Sequence, residues 1–176
     1  PLEHRGDALD MRLPNASALG VVRSHIEAQA AELMARHHCV FLGGDHSVTL
    51  SLLRAAKAQY GGGEPLACVH FDAHCDTWSD HFGEPSGHGT WTYEAIQEGL
   101  ISAPHTVQIG IRSSGERAAR EYVADQGGQI FTARALRGLD GAGLAPALDA
   151  IRQRIGQRPC YLTLDIDVLD PAFAPG

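Results

Sequence analysis

The sequence predicts a three-layer α/β/α architecture with a mostly parallel sheet. Short apolar runs of strand length alternate with helix-length segments along the chain, the pattern of a parallel sheet covered by helices on both faces. Three clusters rich in Asp and His each follow such a run directly. In open parallel sheets ligands bind at the carboxyl ends of the strands, so the clusters point to one shared site. The length, 176 residues, suffices for one domain with a core.

Each element is expected from local pattern. Residues 1–20 are polar with Gly and Pro and are expected as loop. Residues 21–38 carry Val22, Ile26, Ala30, Leu33 and Met34 near helical spacing. Residues 39–42 read as a short buried strand, broken by Gly43-Gly44, and residues 47–60 as a second helix. A turn at 61–64 leads to a strand at 66–71. Residues 77–89 contain Gly, Pro and Ser and are expected as a long loop, where functional residues concentrate. A helix at 90–99, a strand at 106–111, a helix at 115–126 and a strand at 129–131 follow. The helix expected at 142–155 places Leu144, Leu148, Ile151 and Ile155 on one face, and residues 160–164 form the last strand. There is no internal repeat and no low-complexity tract.

Composition narrows the function. The formal net charge of −7 argues against a nucleic-acid surface, which needs a basic patch, and suits a small cationic ligand. No run is long enough to span a membrane, and residues 1–10 show no signal peptide. The four cysteines, Cys39, Cys68, Cys75 and Cys160, form no C-x-x-C pair. Cys39, Cys68 and Cys160 read as buried thiols of a reduced, cytoplasmic protein. The chain lacks an initial Met and stops just after a motif, so a single domain over 1–176, truncated at both ends, is expected.

The chemistry lies in the clusters. In Asp72-Ala73-His74-Cys75-Asp76, an extended backbone would put Asp72, His74 and Asp76 on one side and turn Cys75 away. Buried carboxylates are costly unless paired, hydrogen-bonded or metal-bound, and the alternative here is a hydrogen-bonded turn. Asp165-Ile166-Asp167 repeats the pattern, with an Asx turn into Asp170-Pro171 as its alternative. Gly43-Gly44-Asp45-His46-Ser47 sits at a strand-to-helix turn, where Asp45 could cap the helix or orient His46. No Lys follows the glycines, which disfavours a phosphate loop. Four carboxylates and two imidazoles together suit a pair of oxygen-preferring divalent cations such as manganese, which can ionise a water and hold it against a poor electrophile. His88, in Ser86-Gly87-His88-Gly89-Thr90, could shuttle a proton near neutral pH. His4, His25, His37, His38, His70, His81 and His105 read as structural or exposed, with His70 turned away from the site or into the core.

These three motifs, in this order, resemble the signatures of the ureohydrolases, the arginase/agmatinase family. The resemblance runs from about residue 39 to 176 and includes Val107-Gln108-Ile109-Gly110-Ile111-Arg112. It implies an arginase-like fold and two Mn2+ per subunit. His46 and Asp76 would bind one ion and His74 and Asp167 the other, with Asp72 and Asp165 bridging. His88 matches the family's catalytic-loop histidine, and Asp76 would hydrogen-bond the attacking hydroxide. The implied reaction attacks a guanidinium carbon and releases urea and an amine. The family forms trimers and hexamers, which implies a homo-oligomer.

Within the family, residues 159–176 and His88-Gly89-Thr90 are most similar to agmatinases, whose product amine, putrescine, feeds polyamine biosynthesis. Thr77-Trp78-Ser79-Asp80-His81-Phe82 lacks the Asn by which arginases hold an α-amino acid. Asp80 or Glu84 near the substrate's tail would favour a cationic amine. A guanidinobutyrase or other guanidino-acid hydrolase shares much of the pattern, and a non-catalytic metal-binding subunit is the alternative from another class. The family also has a strand between those ending at His46 and Asp165, and a Glu beyond it that receives the guanidinium. Both are missing here, so an unpaired gap in the sheet and poor activity are expected of residues 1–176 alone.

Overall fold

The computed structural model describes residues 19–80, 83 and 85–175. The expected loop over 1–18, together with His4, His81, Phe82 and Glu84, lies outside the described residues. Helices α1 (Leu19–Met34) and α2 (Val48–Tyr60) precede β1 (Leu66–Phe71). Then come α3 (Trp91–Gln97), β2 (Ile101–Ile111), α4 (Arg117–Arg120), α5 (Tyr122–Asp125) and β3 (Gln129–Thr132). The chain continues through α6 (Ala133–Leu136), α7 (Gly141–Ile155) and β4 (Cys160–Leu164) into a 3-10 turn at Ile166–Val168.

The sheet has the order β3-β2-β1-β4, and each of its pairings is parallel. β1 sits inside it, with Phe71 opposite Ile109 on one side and Leu164 on the other. A strand paired on both edges and covered on both faces needs mainly apolar side chains, as Leu66–Phe71 has at every position but His70. Leu66 and Cys68 point into a core with α1, α2 and α3, built around Ile26, Leu50, Leu53 and Trp91. Val69 and Phe71 point the other way, toward Phe131, Leu136, Ile151 and Ile155. The helices therefore cover both faces, the three-layer arrangement expected.

Several expectations need correction. β2 starts five residues before the expected strand, because a register shift between Leu66 and Cys68 absorbs Pro104, which has no N–H for a regular ladder. The helix expected at 115–126 is two short segments that meet at Glu121. In α7, Asp140 accepts a hydrogen bond from Gly143 N–H and so starts the helix, but Leu148 is exposed while Ile151 and Ile155 pack inward.

The largest departure is at residues 39–42, which form no strand. Val40 and Leu42 are 77% and 95% exposed. An extended segment is held mainly by ladder hydrogen bonds, and 39–42 pairs with no strand among the described residues. β4, expected to be buried, is an edge strand with Leu162 and Leu164 exposed. Residues 39–42 and the outer edge of β4 thus both lack a strand partner among the described residues. For the same reason the thiols of Cys39 and Cys160 are not buried, whereas those of Cys68 and Cys75 are. No helix among the described residues is long and apolar enough to cross a membrane.

Candidate metal centre

The carboxyl ends of β1 and β4 bring the clusters together. Asp72 follows β1, and its N–H donates to Ile109 O of β2. Asp165 follows β4, and its N–H donates to Phe71 O of β1. Adjacent parallel strands thus deliver both carboxylates to one rim. Gly110 makes this possible: it has φ +98°, and a Cβ there would lie 2.5 Å from Val168 Cγ2 and 3.1 Å from Asp72 O.

The way the side chains converge differs from the expected strand alternation. The backbone leaves the sheet at Asp72 and turns. Asp72 Oδ1 accepts the His74 N–H at 2.7 Å, closing an Asx turn. Asp76 adopts φ 51°, a left-handed conformation that Asp tolerates better than most residues. Its carbonyl accepts Thr92 N–H at 3.0 Å, one of the open donors at the start of α3. The second motif is built alike: Asp165 Oδ1 accepts Asp167 N–H at 3.0 Å. Local hydrogen-bonded turns, weighed as alternatives to a site, are thus compatible with one: at both motifs they bring carboxylates to the same rim.

Two groups of ligand atoms result. In the first, His46, His70, Asp72 and Asp76 offer atoms within 4.8 Å of one another; in the second, Asp72, His74 and Asp167 do so. Asp72 belongs to both. Nδ1 of His46 is buried and makes no hydrogen bond. It lies 3.2 Å from Asp72 Oδ2, 3.4 Å from Asp76 Oδ2 and 3.3 Å from Asp165 Oδ2. Its other nitrogen, Nε2, is fixed 2.9 Å from Thr163 Oγ1. His74 Nδ1 lies 2.9 Å from Asp167 Oδ2 and 3.4 Å from Asp72 Oδ1.

A buried imidazole nitrogen aimed at three carboxylate oxygens, unbonded to each, is what a divalent cation between them would satisfy. Imidazole and carboxylate are also the donors that zinc, manganese and related ions take. The residues present therefore fit such a cation. Electrostatics agree. Burial alone would lower the His46 pKa, but the Asp72 and Asp76 carboxylates raise it to about 10. Burial pushes the Asp72 pKa up, but the neighbouring His46 and His70 imidazoles outweigh it and leave Asp72 far below the usual carboxylate range. Burial raises the Asp167 pKa, and the charges of Asp72 and Asp165 add to the effect. A concentration of negative charge needs a positive partner.

The remaining expected residues are placed as follows. Cys75 is buried and belongs to neither group of ligand atoms. Asp45 accepts Ser47 N–H at 2.9 Å, at the turn that leads into α2. His88 is exposed at the rim, with Nδ1 3.5 Å from Asp45 Oδ2. Asp80 is exposed and accepts the Gly83 N–H. His70 lies in the core, one of its two expected placements, but it is not turned away from the site: it is fully buried, with Nε2 2.8 Å from Asp72 Oδ2. Positions two apart on a strand share a face, so alternation from Asp72 places His70 beneath the carboxylates.

Sequence reasoning missed three more residues. The indole N–H of Trp91 donates to Asp76 Oδ2 at 2.7 Å. Gln108 reaches His70 and the Cys75 carbonyl from β2. Arg112 donates to the carbonyls of Asp167, Val168 and Leu169 and braces the second motif. None of these carries a local signal, because each partner is remote in sequence.

The geometry agrees with comparison to known proteins. A profile of the Arginase family matches residues 4–176. The chain belongs to the arginase family. It is 41% identical over 168 residues to a proclavaminate amidinohydrolase of Streptomyces clavuligerus, covering 95% of this chain and 50% of that protein. It is 40% identical over 172 residues to an agmatinase of Proteus mirabilis, covering 97% and 48%. The solved structure of the Streptomyces clavuligerus amidinohydrolase superposes with a TM-score of 0.77 at 39% identity, covering 94% of this chain and 52% of the other. The arginase-family chain thus spans about half the length of the curated relatives it matches.

Proposed function

We propose that the protein containing this chain is a metal-dependent amidinohydrolase of the agmatinase type, cleaving agmatine to putrescine and urea. The observation that carries this reading is the unbonded, buried Nδ1 of His46 facing three carboxylates, beside a second group of ligand atoms that shares Asp72. On this reading His46 and Asp76 would hold one Mn2+ and His74 and Asp167 a second, with Asp72 and Asp165 available to both. The similarity to an agmatinase and to a second amidinohydrolase supports the substrate class.

When bound, the cations supply Lewis acidity that ionises a water at neutral pH. The chain's own groups do the rest. The carboxylates give the rim a negative potential that draws a guanidinium. Asp76, held by the Trp91 indole through Oδ2 and by α3 through its carbonyl, keeps a fixed orientation and accepts a hydrogen bond from the attacking oxygen. His88, exposed beside Asp45, relays the proton to the departing amine. Cytoplasmic location, with free thiols throughout the described residues, and a homo-oligomer complete the proposal.

Similar identity to a proclavaminate amidinohydrolase favours one second reading, an amidinohydrolase acting on a different guanidino substrate. Urea release by the complete gene product, loaded with manganese, separates them. Agmatine turnover with arginine and 4-guanidinobutyrate inert supports the agmatinase reading. Preference for 4-guanidinobutyrate moves the substrate and keeps the chemistry. Two bound metals with no urea from any of the three would overturn the agmatinase reading and leave another amidine substrate or a binding role.

A further inference from the structure

We propose that His70 is a positioning residue of the metal centre: held by Gln108 at Nδ1, it orients Asp72 through Nε2 and is not itself a ligand. This rests on the metal-centre reading above. His70 Nε2 lies close enough to Asp72 and Asp76 to be counted among potential ligand atoms, so its role has to be decided by its hydrogen bonds.

Gln108 decides it. Its Nε2 lies 2.6 Å from the Cys75 carbonyl oxygen, which can only accept, so this end of the amide carries the hydrogens. The same nitrogen lies 3.1 Å from His70 Nδ1. One amide hydrogen goes to Cys75 O and the other to Nδ1. A hydrogen on Nδ1 would set N–H against N–H, so Nδ1 accepts and the ring hydrogen sits on Nε2. From there it donates to Asp72 Oδ2 at 2.8 Å. To bind a metal, Nε2 would have to lose that hydrogen, and Nδ1 is not open to receive it.

The surroundings leave this arrangement little freedom. His70 and Gln108 are fully buried. The Trp91 ring stands edge-on to His70 at 4.8 Å, and the His46 ring at 5.4 Å. Asp72 then accepts from His74 N–H through Oδ1 and from His70 through Oδ2. A carboxylate oxygen has about two lone-pair sites, so each oxygen keeps one for a cation. The relay from Cys75 O through Gln108 and His70 thus fixes the carboxylate common to both ligand groups.

The test is Mn2+ affinity of the complete gene product, measured by competition with a chromophoric chelator, with metal-free melting recorded for each variant. Removing an outer hydrogen-bond partner of a ligand costs roughly 10- to 100-fold in metal affinity, which is the expected loss for His70→Phe. His70→Gln, whose side-chain amide can donate to Asp72 Oδ2, should recover most of it. Gln108→Met, which releases the tautomer, should lose about tenfold. Wild-type affinity in a folded His70→Phe variant overturns the inference. So does a His70→Gln loss as large as that of His70→Phe, the pattern of a missing ligand. Should His70→Phe not fold, Gln108→Met decides, and wild-type affinity there is the overturning result. Wild-type protein that binds no Mn2+ would remove the metal-centre reading and this inference together, whereas normal wild-type binding with unaffected variants removes the inference alone.

Discussion

The two halves of the site are built differently. At the end of β1, Asp72 and Asp76 are buried, with side chains 1% and 6% exposed. Their oxygens are held by His70 and by the Trp91 indole, both in the core. Across the rim, Asp165, Asp167 and His74 have side chains 31%, 30% and 48% exposed. There the bracing is local: Asp167 Oδ1 accepts Ala73 N–H, Asp165 Oδ1 accepts Asp167 N–H, and exposed Arg112 gathers the following carbonyls. The first half is preorganised by packing, the second by backbone hydrogen bonds close to solvent. A charge-assisted hydrogen bond strengthens where the dielectric is low. Substitutions in the first half should therefore cost more.

The largest effect is expected at the residue both halves share. Asp72→Asn should reduce metal content and urea release well beyond the roughly 100-fold loss of an outer partner. Metal analysis and turnover check it, and a near-normal metal content would break the shared-ligand reading. Next is the seam between the halves. Gly110→Ala places a Cβ against Val168 and Asp72 at φ +98° and should destabilise the fold by about 1–3 kcal/mol, read by denaturant unfolding.

A pH series sharpens the contrast. In the metal-free protein the His46 pKa is raised from 6.5 to about 10 by the buried carboxylates. A group whose pKa is raised on folding binds more protons in the folded state, so its stabilisation is complete below about pH 6.5 and is lost as pH rises through about 10. The metal-free melting temperature should therefore fall across this window. Asp76→Asn should flatten the slope, whereas Asp167→Asn, on the open side, should leave it. A flat wild-type profile would sink the account.

Trp91→Phe removes one donor to Asp76 and should weaken metal binding about tenfold, measured by chelator competition. The smallest effect is expected on the open side. Arg112→Gln should loosen the second motif by no more than roughly 1 kcal/mol, because its guanidinium is exposed and its hydrogen bonds compete with water. A loss larger than that of Trp91→Phe would reverse the ranking of the two halves.

Much of the fold was legible because its signals are local. The apolar runs at β1 and β4, the helical spacing in α1 and α2 and the Asp140 cap of α7 all lie within a few residues of what they specify. The run at 39–42 misled because a strand also needs a partner, and composition cannot supply one. Pro104 hid the start of β2 because the compensating bulge depends on its pairing with β1.

The site divides along the same line. His46, Asp72, His74, Asp76, Asp165 and Asp167 stand out in the sequence alone, because carboxylates and imidazoles clustered after apolar runs are costly to bury without a cation or hydrogen bonds to hold them. Only the tertiary structure could set His70, Gln108 and Trp91 beneath those carboxylates. Their side chains are those of ordinary core residues, and contacts such as Gln108 with Cys75 and Trp91 with Asp76 become visible only when β2 and α3 pack against the end of β1.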